Sequence, residues 1–192
     1  MEGFDNTIGS LGRPSSQYRI ELRDADGTPT PAGEIGEIVV VPRDGKRPIG
    51  LFFRYLNDPE RNARVWEGGV YHTGDTGYCD SDGHFYFHSR VDDLIKTGGY
   101  RVGPSEIENV LMEHEAVLEC AVIGIPDPLR GRSIKAIVVL NPGFEAGKDT
   151  EKALRDFSNA QMAEYKWVRL IEFVDRIPKT ISNKICKAAL RQ

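Results

Sequence analysis

With 192 residues, 40% of them hydrophobic and 28% charged, the chain has the composition of a globular protein long enough to bury a core, as one domain or two small ones. A net charge of -4 provides no overall field for nucleic acid, and no apolar run approaches the roughly 20 residues that span a bilayer, so neither partner is expected. No signal peptide or basic arm opens the sequence, and Cys79, Cys120 and Cys186 are too widely spaced for a zinc grip or a redox motif, which points to a reducing cytoplasm.

Residues 1 to 91 read as β structure. Tyr18 to Leu22 alternates apolar and polar residues, Asp24 to Gly27 supplies turn chemistry, and Glu37 to Val41 is a β-branched run bounded by glycine and proline. Val70 to Thr73 and His84 to His88 are two further strands around the loop Asp80-Ser81-Asp82-Gly83. Ahead of them, in the segment Leu51 to Trp66, Asn57-Asp58-Pro59-Glu60 has the cap and first-turn proline of a short helix.

After residue 92 helices and strands alternate. Pro104 to Leu111 begins with proline and acidic residues and places Ile107, Val110 and Leu111 at helical spacing, so one stripe faces a core. Val117 to Ile125 and Ser133 to Leu140 read as strands joined by a Pro126 to Gly131 loop. Asp149 to Ala163 is a second amphipathic helix, Val168 to Val174 a third strand and Lys184 to Leu190 a terminal helix. The change of texture near Asp92 marks a domain boundary without a Gly/Ser-rich linker.

Special-purpose residues concentrate in Tyr71-His72-Thr73-Gly74-Asp75 and in Ser89 to Arg101, and each has a plain reading beside a functional one. Asp75 is either a turn residue after Thr73-Gly74 or a placed carboxylate. Arg90 and Asp92 are either a surface ion pair worth little or part of a site. Gly98-Gly99 is either a simple turn or a place where another molecule approaches the backbone. The histidines His72, His84, His88 and His114 lack metal-ligand spacing and read as packing or surface residues. In the tail, a helix capped by Ser182 or Asn183 puts Lys184 in a first turn, where the dipole disfavours a cation by about 0.3 to 1 kcal/mol. An anionic ligand explains that lysine, and so does simple solvation on a face shared with Lys187 and Arg191.

Taken in order, Tyr71-His72-Thr73-Gly74-Asp75, Ser89-Arg90-Val91-Asp92-Asp93 through Gly98-Gly99-Tyr100-Arg101-Val102, and Pro178-Lys179-Thr180-Ile181-Ser182-Asn183-Lys184 resemble the C-terminal half of the adenylate-forming enzymes. The resemblance runs from Gly9-Ser10-Leu11-Gly12-Arg13-Pro14 to the end. Arg47-Pro48-Ile49-Gly50, Gly103 to Asn109 and Pro126 to Gly131 look most like short- and medium-chain acyl-CoA synthetases. It implies an α+β fold: residues 1–91 as the β-rich, barrel-like last part of a large AMP-binding domain, and 92–192 as a small mobile domain with a short sheet flanked by helices.

The resemblance also implies roles. Asp75 and Arg90 hold the ribose of ATP or AMP, Lys184 stabilises charge as a carboxylate attacks the α-phosphate, and Asp92 is the hinge of a domain rotation between the two half-reactions. Gly98 and Gly99 line the pantetheine channel of coenzyme A, with Arg101 on a nucleotide or coenzyme A phosphate. The sequence departs from the family pattern at Asn183, where glycine is usual, at Lys187, where arginine is common, and at Ser89 in place of a glycine. Asparagine tolerates positive φ, so the loop before Lys184 is expected to survive, with adenylation the step most open to impairment. Neither the Ser/Thr/Gly-rich loop ending in lysine nor the Tyr-Gly-x-Thr-Glu run that binds adenine and Mg2+ is present. The expectation is therefore the C-terminal portion of an acid-CoA ligase, inactive alone, needing an N-terminal adenylation part and a small carboxylic acid substrate. The alternative is a non-catalytic piece that docks onto such a part.

Overall fold

In the computed structural model, which describes residues 7–191, alternating side chains set the first sheet: Leu22 and Val40 are buried, while Arg19, Glu21 and Arg23 form a charged row on β1 (Arg19–Arg23). Glu21 pairs with Arg19 at 2.6 Å and Arg23 at 2.9 Å. Burial works against the Glu21 charge, but the hydrogen bonds from the two arginines win and lower its pKa. β2 (Gly36–Val41), β3 (Tyr71–Cys79) and β4 (Phe85–Arg90) follow, antiparallel throughout, in the order β1-β2-β3-β4. Asp24 turns the chain after β1, its Oδ1 accepting from the amides of Asp26 and Thr28 at 2.9 Å. Helix α1 (Pro59–Arg64) starts where Asp58 accepts from the Arg61 amide at 2.9 Å, with proline in the first turn.

The β-rich character expected of this part holds, as an open sheet with β1 and β4 at its edges; no closed barrel forms among the described residues. One expectation changes: the chain does not turn at Gly74-Asp75. Long-range pairing with β2 and β4 carries β3 on through Cys79, where local sequence ends a strand at Thr73.

The chain divides into two units, Met1–Asp92 and Asp93–Gln192. The second begins with a hairpin of β5 (Ile95–Thr97) and β6 (Tyr100–Val102), then α2 (Pro104–Met112), β7 (Val117–Asp127), β8 (Gly131–Leu140), α3 (Lys148–Ala160) and β9 (Leu170–Phe173). β7 and β8 are antiparallel, β9 runs parallel to β8, and the sheet order is β7-β8-β9. A parallel pair needs a crossover, and α3 provides it. The stripe of Ile107 and Leu111 on α2 meets Leu154 of α3 over Val122, Ile134, Ala136 and Val138. A second cluster, Ala121, Ile123, Ile137 and Ile177, packs with Ile185 and Leu190 of the tail.

Here too the boundaries move. β7 and β8 take up half of the expected Pro126 to Gly131 loop because Asp127 closes the turn, accepting from the amides of Leu129 and Arg130 at 2.9 and 3.0 Å and from the Ser133 hydroxyl. These bonds, the Ser133 hydroxyl foremost, hold the Asp127 carboxyl below its ordinary range. α3 ends at Ala160 instead of Ala163. The terminal helix expected over Lys184 to Leu190 is replaced by a short 3-10 turn, Lys187–Arg191, preceded by a loop.

Candidate functional site

The Asp75 region is built by a bulge. Glu37 lies opposite Thr76 and Val39 opposite His72, so Thr73, Gly74 and Asp75 face the single residue Ile38. Excess residues on one strand bend it and redirect side chains. Gly74 takes φ 73°, and a Cβ there would sit 2.7 Å from Arg90 Nη2, so the absent side chain also leaves room for the guanidinium. Thr73 Oγ1 donates to the Ile38 carbonyl at 2.7 Å and accepts from the Asp75 amide at 3.1 Å. Arg90 is the register partner of Asp75 across β3 and β4, and its Nη1 donates to Asp75 Oδ1 at 2.8 Å and to the Thr73 carbonyl at 3.0 Å. Both side chains are part-exposed, 38% for Asp75 and 42% for Arg90, so the pair is accessible to a ligand.

Sequence reasoning missed Glu37. Its carboxylate accepts from the Gly74 amide at 3.1 Å and pairs with His72 Nδ1 at 2.9 Å, while His72 Nε2 lies 3.2 Å from the Glu67 carbonyl. His72 is thus more than a packing or surface residue: with Glu37 it braces the bulge. A histidine followed two residues later by glycine was the available signal, but its partner lies 35 positions upstream. Asp92 follows Arg90 in the 3-10 turn Val91–Asp93, its side chain 75% exposed and 3.9 Å from Arg90 Nη2.

In the second unit, Gly98 and Gly99 form the two-residue turn between β5 and β6, with φ 55° and 86°. Positive φ at both positions is the requirement of a type I′ hairpin, so the turn alone is a sufficient reason for both glycines. Lys96 and Arg101 are opposite each other on this hairpin, exposed, and neither side chain forms an ion pair among the described residues. The Gly98 amide donates to the Arg130 carbonyl at 3.0 Å. Beside it lies a cavity of about 290 Å³ lined by Thr97, Gly98, Tyr100, Arg130, Glu164 and Tyr165, with the Tyr100 and Tyr165 rings stacked 4.3 Å apart. Next to Tyr165, burial acts to lower the Lys166 pKa, but its bonds of 2.7 Å to both Glu106 oxygens outweigh this and raise it. Neither tyrosine was singled out from sequence, since 65 positions separate them.

Lys184 does not start a helix. Thr180 to Lys184 is a tight turn in which the Thr180 amide donates to the Lys184 carbonyl at 2.7 Å, the Asn183 amide to the Thr180 carbonyl at 2.9 Å and the Lys184 amide to Thr180 Oγ1 at 3.2 Å. Asn183 adopts φ 62°, the conformation for which glycine is the usual choice and which asparagine tolerates. Lys184 is exposed and its ammonium forms no ion pair among the described residues. The expected face of Lys184, Lys187 and Arg191 dissolves: Lys187 bonds Glu108 and Arg191 bonds Asp93. Among the described residues no group of three His, Cys, Asp or Glu side chains is placed to hold a metal, and no helix is long and apolar enough to cross a membrane.

Residues 106–184 match the AMP-binding enzyme C-terminal domain. That stretch is an AMP-binding enzyme C-terminal domain, and the chain as a whole corresponds to the C-terminal portion of the AMP-dependent ligases. Among them, the relatives are acyl-CoA synthetases. The chain is 41% identical to the mitochondrial acyl-coenzyme A synthetase ACSM3 of Rattus norvegicus over 100% of its own length and 33% of that protein. It is 45% identical to 4-hydroxybutyrate–CoA ligase 1 of Metallosphaera sedula over 96% of its length and 32% of the ligase. Among solved structures it superposes on the anthranilate CoA ligase AuaEII in complex with anthranoyl-AMP with a TM-score of 0.83 at 36% identity, covering 97% of this chain and 35% of that one. The o-succinylbenzoate CoA synthetase MenE of Bacillus subtilis, with its acyl-adenylate intermediate, gives 0.83 at 32% identity over 96% and 36%. The chain spans about a third of the length of the curated relatives it matches.

Proposed function

We propose that the chain supplies the C-terminal part of an ATP-dependent acyl-CoA synthetase and is catalytic only together with an N-terminal adenylation part. The observation that carries this reading is the bulge presenting Asp75 and Arg90 side by side, half-exposed, in a chain whose relatives include acyl-CoA synthetases. In the first half-reaction a carboxylate oxygen bonds to the α-phosphorus of ATP and the bond to the β-phosphate oxygen breaks, giving acyl-adenylate and pyrophosphate. In the second the thiolate of coenzyme A bonds to the acyl carbon and AMP departs with the electron pair. Asp75 accepts hydrogen bonds from the ribose hydroxyls, and Arg90, bonded to it, orients the carboxylate and donates to the same sugar.

Lys184 acts in the first half-reaction. Its side chain is a mobile point charge on an ordered turn, suited to negative charge that develops on the α-phosphate oxygens in the transition state. Asp92 is the hinge about which residues 92–192 turn between the half-reactions, and residues 1–91 complete the large AMP-binding domain. Gly98 and Gly99 flank the pantetheine arm, while Arg101, which forms no ion pair among the described residues, contacts a phosphate of coenzyme A or the nucleotide. The reading leaves the Mg2+ that accompanies ATP to residues outside this chain. The free cysteines support a reducing compartment, which we infer to be the cytoplasm. Fractionation of the tagged chain tests that assignment, and recovery in mitochondria would move it.

The catalytic reading is tested by pyrophosphate release from ATP with a panel of short- and medium-chain acids, using the chain alone and mixed with the N-terminal part of a related acyl-CoA synthetase. Release by the mixture only, lowered about a hundredfold by Lys184→Ala, is the expected result. Binding to the N-terminal part without release would leave the chain as a non-catalytic docking piece. Release by the chain alone would refute the need for a second part.

A further inference from the structure

The turn that carries Lys184 has little packing of its own. Ile181 at its tip is fully exposed, and its internal bonds run only between Thr180 and residues 182 to 184. Its place is therefore inherited from its root. There Lys179 and Ile185 form an antiparallel bridge, the Cys186 amide donates to the Pro178 carbonyl at 2.8 Å, and Ile177 and Ile185 pack against Ala121, Ile123 and Ile137.

Two lysines tie that root to the rest of the unit. Lys179 Nζ lies 2.7 Å from Glu119 Oε1, with the side chains 34% and 27% exposed. Lys187 Nζ lies 2.7 Å from Glu108 Oε1, with the side chains only 12% and 17% exposed. The second pair is the more shielded and the more fixed, because the same Glu108 oxygen accepts from the Val122 amide at 2.7 Å. The carboxylate is thus pinned to β7 from α2, and the ammonium it accepts stands three positions after Lys184. A shielded carboxylate left without its cation is strongly disfavoured, so the tail has one preferred seat.

We propose that Lys187 and Glu108 are positioning residues for Lys184, holding the root of its turn so that its ammonium is delivered to one place in the adenylation step. This rests on the assignment of Lys184 to that step. The pair touches no reacting atom; it removes the freedom that the exposed turn would otherwise have.

Amide hydrogen exchange on the chain itself reads the first consequence. In Lys187→Met the amides of Thr180, Asn183, Lys184 and Cys186 exchange about tenfold faster or more, those of β7 and β8 are unchanged, and Lys187→Arg restores protection. The second consequence is read with the N-terminal part added. Lys187→Met lowers pyrophosphate release about tenfold or more but leaves thioester formation from supplied acyl-adenylate at the wild-type rate. Unchanged tail exchange overturns the proposal, and so does equal acceleration of the β7 and β8 amides or an equal fall in both half-reactions, since each makes the pair an ordinary fold element. Lys184→Ala run in parallel separates the two claims. If it spares pyrophosphate release, the assignment of Lys184 fails and the positioning role falls with it, even where exchange shows a loosened tail.

Discussion

Arg90 reaches across the β3–β4 ladder to its register partner Asp75, closing a 2.8 Å contact over a glycine whose missing side chain makes the space. Part-exposed ion pairs of this kind contribute about 0 to 1 kcal/mol to stability. Replacing Asp75 with Ala is therefore expected to leave the thermal midpoint of the chain nearly unchanged, yet to cut pyrophosphate release by the reconstituted enzyme about a hundredfold. Arg90→Lys should lose most of that activity too, since an ammonium cannot bond the Thr73 carbonyl and the Asp75 carboxylate with the same planar geometry. Paired melting curves and release assays decide it. A large fall in midpoint would make Asp75 a structural residue.

Glu37 makes a different prediction, because it holds backbone. Glu37→Ala strands the Gly74 amide and the His72 ring, at a cost of about 1 to 3 kcal/mol in urea unfolding. Glu37→Gln keeps an acceptor for the amide and should recover part of that loss. Equal stability of all three proteins would show that the bulge stands without its brace.

Cys120 gives the chain an alkaline weakness. Burial foremost, with the neighbouring Glu108 carboxylate, pushes its thiol from 9.0 up to about 12. A folded pKa above the unfolded value means that between these limits the unfolded chain binds fewer protons than the native one, so this group's contribution falls as pH rises. The slope approaches about 1.4 kcal/mol per pH unit. Comparing unfolding free energies of the wild type and Cys120→Ala from pH 8.5 to 11 isolates the contribution, and parallel curves would refute it. Under native conditions at pH 8, a thiol reagent should modify Cys79 and Cys186 well before Cys120, as mass spectrometry of the labelled chain would show.

Two glycines without positive φ should part company on substitution. A Cβ at Gly77 would lie 2.3 Å from the Tyr86 carbonyl oxygen, a backbone atom that cannot move aside without opening the β3–β4 ladder. Gly77→Ala is expected to cost more than about 2 kcal/mol. Gly147 caps α3 with open space around it, and Gly147→Ser should change stability by only a few tenths of a kcal/mol. Urea midpoints of the two variants test the contrast.

What could be read from sequence was what neighbours in the chain decide. Asp58 and Pro59 announce α1, and the Ile107, Leu111 stripe announces α2, because cap chemistry and helical spacing act within a few residues. Glu37 to Val41 reads as a strand for the same reason. Gly74-Asp75 reads as a turn because threonine, glycine and aspartate are turn chemistry locally; only pairing with Glu37 and Arg90, far off in sequence, makes it a bulge. Likewise Ser182 and Asn183 are good caps, but the Lys179–Ile185 bridge and the Lys187 bond to Glu108 withdraw the residues a helix would need. The Glu37–His72 brace and the Tyr100–Tyr165 stack were beyond local reasoning altogether.

The Gly98-Gly99 turn has a practical side. Its backbone demands glycine at both positions before any ligand is considered, with open space where side chains would go. A library that randomises this loop will report folding before it reports binding. Engineers who wish to alter what passes beside the hairpin have better targets in residues that the turn does not already claim, such as Tyr100 and Arg130 on the cavity wall.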